Sequence, residues 1–343
     1  MDIKSIENYK IKNNIFYYTN KDNKGNTNNI NNKGKDLGII NLDRLFYYDS
    51  SFIVKNIING IGAIDITKVK KYRNGFIIGD ESGKVIFMKI SSKSNINIID
   101  EIQLPGSIID IHINKYILVS TSNHVLYMLK ISCNKIFIKK EINLSARVCA
   151  IGVKKYIFAQ CSNNKMYILN RKLEILKIID EKIGYAMKSD VNLIKGNLDG
   201  TITEYKKINR KKYKNKILEE KDCLMIRNSM FLRSENKVHN KAIFALDAYK
   251  GNIVSGGDDH LVVYDNKKYI YGDIPILDIR CVSNSDCFNV FVCYRNRLLI
   301  LDKNFRIKNE KTFYFIAQAF EIDEKYAYVV GNGFIRYKIK DLI

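Results

Sequence analysis

The sequence predicts an all-β fold, a β-propeller of seven blades with eight as the alternative closure, on three observations. Short apolar runs with period-two alternation, bounded by Gly, Asn, Asp or Ser, fill the 343 residues from end to end. Almost nothing has helical period. The runs also recur in one order: an apolar strand, a short polar turn, a β-branched strand, a turn with Gly, Asn or Asp, and a third strand ending in an aromatic or charged residue. A unit of this size cannot bury both faces alone, so it must stack on neighbours, and radial stacking into a ring leaves only short edges exposed.

The first copy is the weakest. ENYKIKNNIFYYTN is followed by a polar stretch from Asp22 to Asp36, read as a flexible loop from its Asn/Lys/Gly composition, and then by GIINLDRLFYYDSSFIVKNIING. Clearer copies start at Ala63, Ser107, Arg147, Gly184, Ala242, Pro275 and Phe315, so successive starts lie 44, 40, 37, 58, 33 and 40 residues apart. Apart from the fourth interval, that matches the roughly 40–45 residues of a four-stranded propeller blade. Fourth strands are visible as INIIDEIQL, KIFIKKEINL and LEILKIIDEKI, more charged than the others, as an outermost strand should be. The long interval holds an insertion from Lys206 to Lys237, read as a solvated loop between blades. Its basic start, Lys206, Lys207, Arg210, Lys211, Lys212, Lys214 and Lys216, is the candidate partner-binding arm. The last copy ends after its third strand, so an N-terminal strand is expected to complete that blade and lock one domain spanning 1–343.

Lys and Arg number 57 against 36 Asp and Glu, a net charge of +21, which usually points to an acidic partner. The sequence is also crowded with Lys, Asn, Ile and Tyr, lacks Trp and has two Pro, as AT-rich coding sequence produces, so most of the excess is read as solvated surface. Seven cysteines without a CxxC pair, most of them inside apolar runs, indicate reduced core thiols and a cytoplasmic or nuclear setting. The even spacing of Cys281, Cys287 and Cys293 lacks a fourth ligand, and the four histidines are not paired, so no metal and no cofactor is expected. No apolar run approaches the roughly 18 residues of a membrane helix. A soluble, monomeric ring without membrane contact is expected.

The stretch SGGDDHLVVYD, Ser255 to Asp265, falls at the end of a second strand and its turn into the third. Its two glycines suit a tight turn without any ligand. His239, Ser255, Asp259 and Tyr264 resemble the histidine, serine, aspartate and tryptophan that brace a WD repeat, with Tyr in place of Trp, and Asp199 with Tyr205 resembles the last two in the preceding copy. The chain is thus similar to the WD-repeat propellers. More specifically, it resembles the WD-repeat diphthine methylesterases of diphthamide biosynthesis. The resemblance is carried by NNIFYYTN with DRLFYYDS, by GAIDITKV with GFIIGDESGKVIFMKI, by His239, Phe244 and the SGGDD turn, and by PILDIRCV after YDNKKYIYGD.

That resemblance implies hydrolysis of the diphthine methyl ester on elongation factor 2. Ester hydrolysis needs a base, an activated water or nucleophile, and donors for the oxyanion. His239 would be the base, Asp258 or Asp259 would orient it or activate water, and the Gly256 and Gly257 amides would be the donors. For His239 and Asp259 the bracing role is the favoured reading, which leaves Asp258, the extra aspartate, as the better functional candidate. Two alternatives stay open: a non-catalytic scaffold for a protein partner, and an RNA-associated propeller using the basic insertion with Tyr213 for stacking. No GxSxG, HExxH or P-loop is present.

Overall fold

The structure, a computed structural model, describes residues 9–12, 15–18, 40–41, 45–48, 54–58, 66–90, 96–208, 223–249, 251–283, 288–313, 315–331 and 334–343. The polar stretch 22–36 lies outside the described residues, as do 209–222 of the insertion. Seven sheets of four or five strands surround one axis, antiparallel except for one pair in blade 7, with strands a to d counted from the axis outward. Blade 1 spans 66–103, blade 2 108–143, blade 3 148–180, blade 4 184–237, blade 5 243–270 and blade 6 278–312, and blade 7 begins with Ala317–Ile322. The charged runs of the sequence are the outermost strands, Ile96–Gln103, Lys135–Asn143 and Ile175–Asp180.

The apolar core lies between blades. Blade 1 meets blade 2 through Ile77, Val85 and Phe87 against Ile108, Val119 and Tyr127. Blade 7 meets blade 1 through Ala319, Tyr328 and Val330 against Ile66, Val69 and Phe76. Five further clusters fill the remaining seams. Seven seams close the ring and leave no gap for another blade. The N-terminal copy is therefore not an eighth unit. Tyr9–Lys12, Ile15–Tyr18 and Ile40–Asn41 form a three-stranded sheet of their own, while Leu45–Tyr48 and Val54–Ile58 extend blade 7. The expected N-terminal closing strand is thus present. It runs parallel to Phe334–Lys338, with Tyr47 opposite Phe334 and Tyr48 opposite Ile335.

The insertion differs from the loop read in the sequence. Ser229–Lys237 pairs along the whole of Thr201–Ile208 and is the fourth strand of blade 4, with Cys223–Ile226 as a fifth. Leu224, Ile226 and Phe231 pack with Phe158 and Tyr205 in the seam with blade 3, which an all-polar loop could not do.

Polar bonds near the axis stitch neighbouring blades. The Thr67 hydroxyl donates to the Ile108 carbonyl at 2.8 Å. Asp110 accepts from the Ile151 amide at 2.9 Å, and Asp247 from the Cys281 amide at 2.7 Å. One glycine position repeats for a steric reason. A Cβ on Gly79, Gly196 or Gly256 would lie 2.5 Å from Cγ2 of Ile108, Ile243 or Ile276, an isoleucine at or just before the first strand of the following blade. Gly256 therefore serves blade packing and not, as its neighbourhood in the sequence suggests, a tight turn.

Candidate functional site

Blade 5 brings three of the predicted residues together. His239 precedes strand a, Ser255 lies in strand b (Asn252–Gly257), and Asp259 sits in the turn to strand c (Leu261–Tyr264). His239 Nδ1 is 2.7 Å from Asp259 Oδ1, and Nε2 is 2.8 Å from Ser255 Oγ. The other Asp259 oxygen accepts from the Asn240 amide at 2.8 Å. Burial works against the Asp259 charge, but the Asn240 amide and His239 outweigh it and hold the carboxyl below its ordinary range. Burial in turn pushes the His239 imidazole down, against the pull of Asp259. A neutral ring facing an acceptor-only carboxylate carries its proton on Nδ1, so the Ser255 hydroxyl donates to Nε2. Gly257 makes room for this, because a Cβ there would sit 2.9 Å from His239 Nδ1 and 2.8 Å from Asp259 Oδ1.

The order Ser–His–Asp is that of a hydrolase relay, and exposure decides what it can do. Ser255 is 1% exposed and His239 0%, so neither meets a substrate in this arrangement. Gly256 is paired in the ladder on both sides, with Ala245 and with Val262, and is no free oxyanion donor. The set joins the approach to strand a, strand b and the b–c turn. That is a brace.

The remaining predicted residues separate. Tyr264 pairs with Val254 while Ser255 pairs with Val263, so period-two alternation sends Tyr264 to the opposite face of the sheet, where it stacks on Phe305 at 4.7 Å. It is not the fourth member of the brace. Asp258 stays half-exposed on the turn, its carboxylate 3.7 Å from the Lys241 ammonium. Asp199 accepts from the Thr201 hydroxyl at 2.6 Å and pairs with Lys182 at 2.8 Å, while Tyr205 is buried in the seam with blade 3. Lys206 and Lys207 are exposed at the end of strand c of blade 4, and Arg210, Lys211, Lys212, Lys214 and Lys216 lie outside the described residues.

Blade 4 holds a polar set that sequence reasoning missed. Lys195 takes the register of Ser255, is fully buried, and bonds Glu181 at 2.9 Å, Gln160 at 3.0 Å and the Lys182 carbonyl at 2.6 Å. Arg233 from the insertion strand bonds the other Glu181 oxygen at 2.7 Å. The available signal was a lone lysine inside the apolar strand Leu193–Asn197.

The two ends of the ring axis differ in chemistry. At the end carrying the b–c turns, strand a bulges at one residue in blades 1 to 5 and in blade 7. In blades 4 and 5 the bulge residues are Tyr185 and Phe244, whose rings are 6.0 Å apart. Phe244 is 36% exposed, and Leu198 in the adjoining b–c turn 46%. At the other end a cavity of about 470 Å³ is lined by charge, including Lys70, Asp110, His112, Lys188, Arg280 and Glu321. Lys188 pairs with Asp247 at 2.6 Å. Arg280 bonds Asp278 and lies 3.6 Å from Glu321. Burial opposes the Arg280 charge, but Asp278 and Glu321 outweigh it and raise its pKa. Burial lowers Lys70, and Arg280 adds to that. Burial also takes His112 down to about 4, against the pull of Asp110. Among the described residues no group of three or more His, Cys, Asp or Glu is placed to hold a metal ion, and no helix is long and apolar enough to cross a membrane.

No protein-family profile matches the sequence, and no curated protein matches it. Solved structures do match. Saccharomyces cerevisiae Sqt1 superposes with a TM-score of 0.62 at 9% identity, over 87% of this chain and 96% of that one. The Neurospora crassa Pan2 WD40 domain gives 0.57 at 13% identity, over 79% and 87%. The computationally designed Ika8 protein gives 0.56 at 9% identity, over 86% and 99%. At these identities the likeness is one of fold. The chain is an all-β, seven-bladed β-propeller, the fold it shares with the Pan2 WD40 domain.

Proposed function

We propose that the ring is a non-catalytic platform that binds a protein partner over the axis mouth on the b–c turn end. The observation that carries this reading is the exposed Phe244, its ring 6.0 Å from that of the half-buried Tyr185, both held by strand bulges on a rigid frame, with exposed Leu198 in the adjoining b–c turn. Exposed aromatic residues on a fixed scaffold are the usual anchors of a protein interface. The partner's contribution would be an aliphatic or aromatic side chain entering the mouth. The test is affinity capture with the wild type and with Phe244→Ala/Tyr185→Ala. Partners retained equally by both would refute the assignment of this face.

The finer reading, ester hydrolysis on the diphthine of elongation factor 2, rests on the sequence resemblance. Against it stand the burial of Ser255 and the engagement of both His239 nitrogens; in its favour is Asp258, reachable on the same end of the ring. Mass spectrometry of elongation factor 2 from depleted cells separates the two. Methylated diphthine that accumulates, and is cleared by wild type but not by Asp258→Ala, would establish the esterase, whereas normal diphthamide leaves the platform. Buried free thiols at Cys149, Cys161 and Cys293 support the cytoplasm, or alternatively the nucleus, as the setting.

A further inference from the structure

A second surface carries a different chemistry, on the opposite end of the ring from the proposed protein-binding mouth. Between blades 2 and 3 runs a groove of about 450 Å³ whose charged and aromatic lining is Lys115, Tyr116, Lys139, Lys140, Arg171 and Lys172. The lining includes five cations and no carboxylate among the described residues. Lys115 and Tyr116 come from the a–b turn of blade 2, the next two lysines from its outer strand Lys135–Asn143, and Arg171 with Lys172 from the c–d turn of blade 3. The groove therefore has cations on both banks.

The local geometry concentrates charge. The register of strands c and d in blade 2 shifts between Met128 and Leu129, which face Lys140 and Ile138, so Lys139 is the extra residue of a bulge. A bulge re-aims a side chain that strict alternation would send elsewhere. Lys139 bends over the Tyr116 ring, its ammonium 4.1 Å from the centroid, and donates to the phenol oxygen at 2.6 Å. The lysine hydrogen bond is the main cause that draws the Tyr116 hydroxyl below its ordinary pKa, with the nearby charge of Lys139, Lys115 and Lys130 adding to it. Elsewhere on the ring some lysines have acids beside them, as Lys84 has Glu101 and Lys135 has Asp100. Here five cations line one groove with no carboxylate among its described lining residues, a concentration of charge that favours an anionic ligand.

We propose that this groove binds the phosphodiester backbone of single-stranded nucleic acid. Cations on two banks suit a chain of phosphates passing between them, and a concave groove admits a narrow strand but not a flat bilayer. Tyr116 and the lysine over it give the floor a cation-capped aromatic surface, so contact is to backbone and tolerant of sequence.

The test is fluorescence anisotropy of a labelled oligouridylate with the full chain. Five phosphate contacts on a single strand predict a slope near −0.7 per contact, hence affinity falling roughly a hundredfold from about 50 to about 200 mM salt. Lys139→Glu/Arg171→Glu should weaken binding by roughly tenfold or more, with the salt slope reduced and thermal unfolding unchanged. The same charge change on the outer strand of blade 5, Lys267→Glu/Lys268→Glu, should have little effect. Equal losses in both variants would mean bulk charge and overturn the proposal. So would a loss confined to Lys211→Glu/Lys212→Glu in the insertion. Vesicles of phosphatidylcholine with phosphatidylserine that lose binding in the groove variant, while the oligonucleotide does not, would overturn it in favour of a membrane.

Discussion

Replacing His239 with Ala decides whether the Ser255–His239–Asp259 set braces the blade or performs chemistry. The substitution leaves the Ser255 hydroxyl buried without the ring nitrogen it bonds at 2.8 Å, and an unsatisfied buried group costs about 1–3 kcal/mol. It also removes the 2.7 Å bond to an ionised carboxylate, another 1.5–3 kcal/mol or so. Asp259 keeps the Asn240 amide, so its charge is not stranded. A total of roughly 2.5–6 kcal/mol follows, about 2 °C of melting temperature per kcal/mol in a domain this large, hence a drop of roughly 5–12 °C. His239→Gln, with one amide to place in the same space, should recover part of it. Differential scanning calorimetry gives the answer directly. A His239→Ala protein that melts with wild type would refute the brace, and if it had also lost activity on modified elongation factor 2, His239 would have to reach solvent in some other arrangement.

Three further outcomes are expected. Gly256→Ala should destabilise by about 1–3 kcal/mol, since its Cβ would press on Ile276 at 2.5 Å, and combining it with Ile276→Ala should cost less than the sum of the two single changes in denaturant titration. His112 has a native pKa near 4 against an ordinary 6.5, so the unfolded chain takes up the proton first as pH falls. Stability should be full above about pH 6.5, fall towards pH 4 and then level, by at most roughly 3 kcal/mol for this group. The effect is read as the difference between wild type and His112→Asn, which leaves the other groups facing the cavity, Asp110, Lys70, Lys188, Arg280 and Glu321, in place. Phe244→Asp should leave the melting temperature within about 1 °C, as the side chain is exposed, yet abolish capture of partners that the wild type retains.

The fold was legible because its determinants are local and repeated. Period-two runs at blade spacing, with Gly, Asn and Asp turns, survive the absence of Trp, since seven seams ask only for apolar residues of suitable size, as Ile77 against Ile108 or Val254 against Ile279 shows. The hydrogen-bonded set in blade 5 was legible for the same reason: histidine, serine and aspartate stand at fixed offsets from strand ends. Tyr264 was misplaced because strand register, and with it the face of the sheet, is set by pairing with Val254, which one sequence does not print. The insertion was read as a loop because seven cations in its first eleven residues hid the hairpin that follows, where Arg227 takes a positive φ of 50° between Cys223–Ile226 and Ser229–Lys237.

Neither candidate surface was legible, and the reason is geometric. Tyr185 and Phe244 are 59 positions apart in the chain and become neighbours only because each is the bulge residue of strand a in adjacent blades. The groove cations come from two blades and three separate loops or strands, and Lys139 reaches Tyr116 only through a bulge. In a repeat fold the residues that build the frame recur and so announce themselves, whereas those that meet a partner break the repeat. Leu198 stands where blade 5 has Asp258, as each amide caps its b–c turn by donating to a carbonyl of the d–a connection, Ile183 or Ala242. Exchanging these two side chains would move an apolar contact by one blade without disturbing either turn. If the mouth is the binding site, Leu198→Asp should therefore weaken capture as strongly as Phe244→Ala does, and Asp258→Leu should leave capture intact.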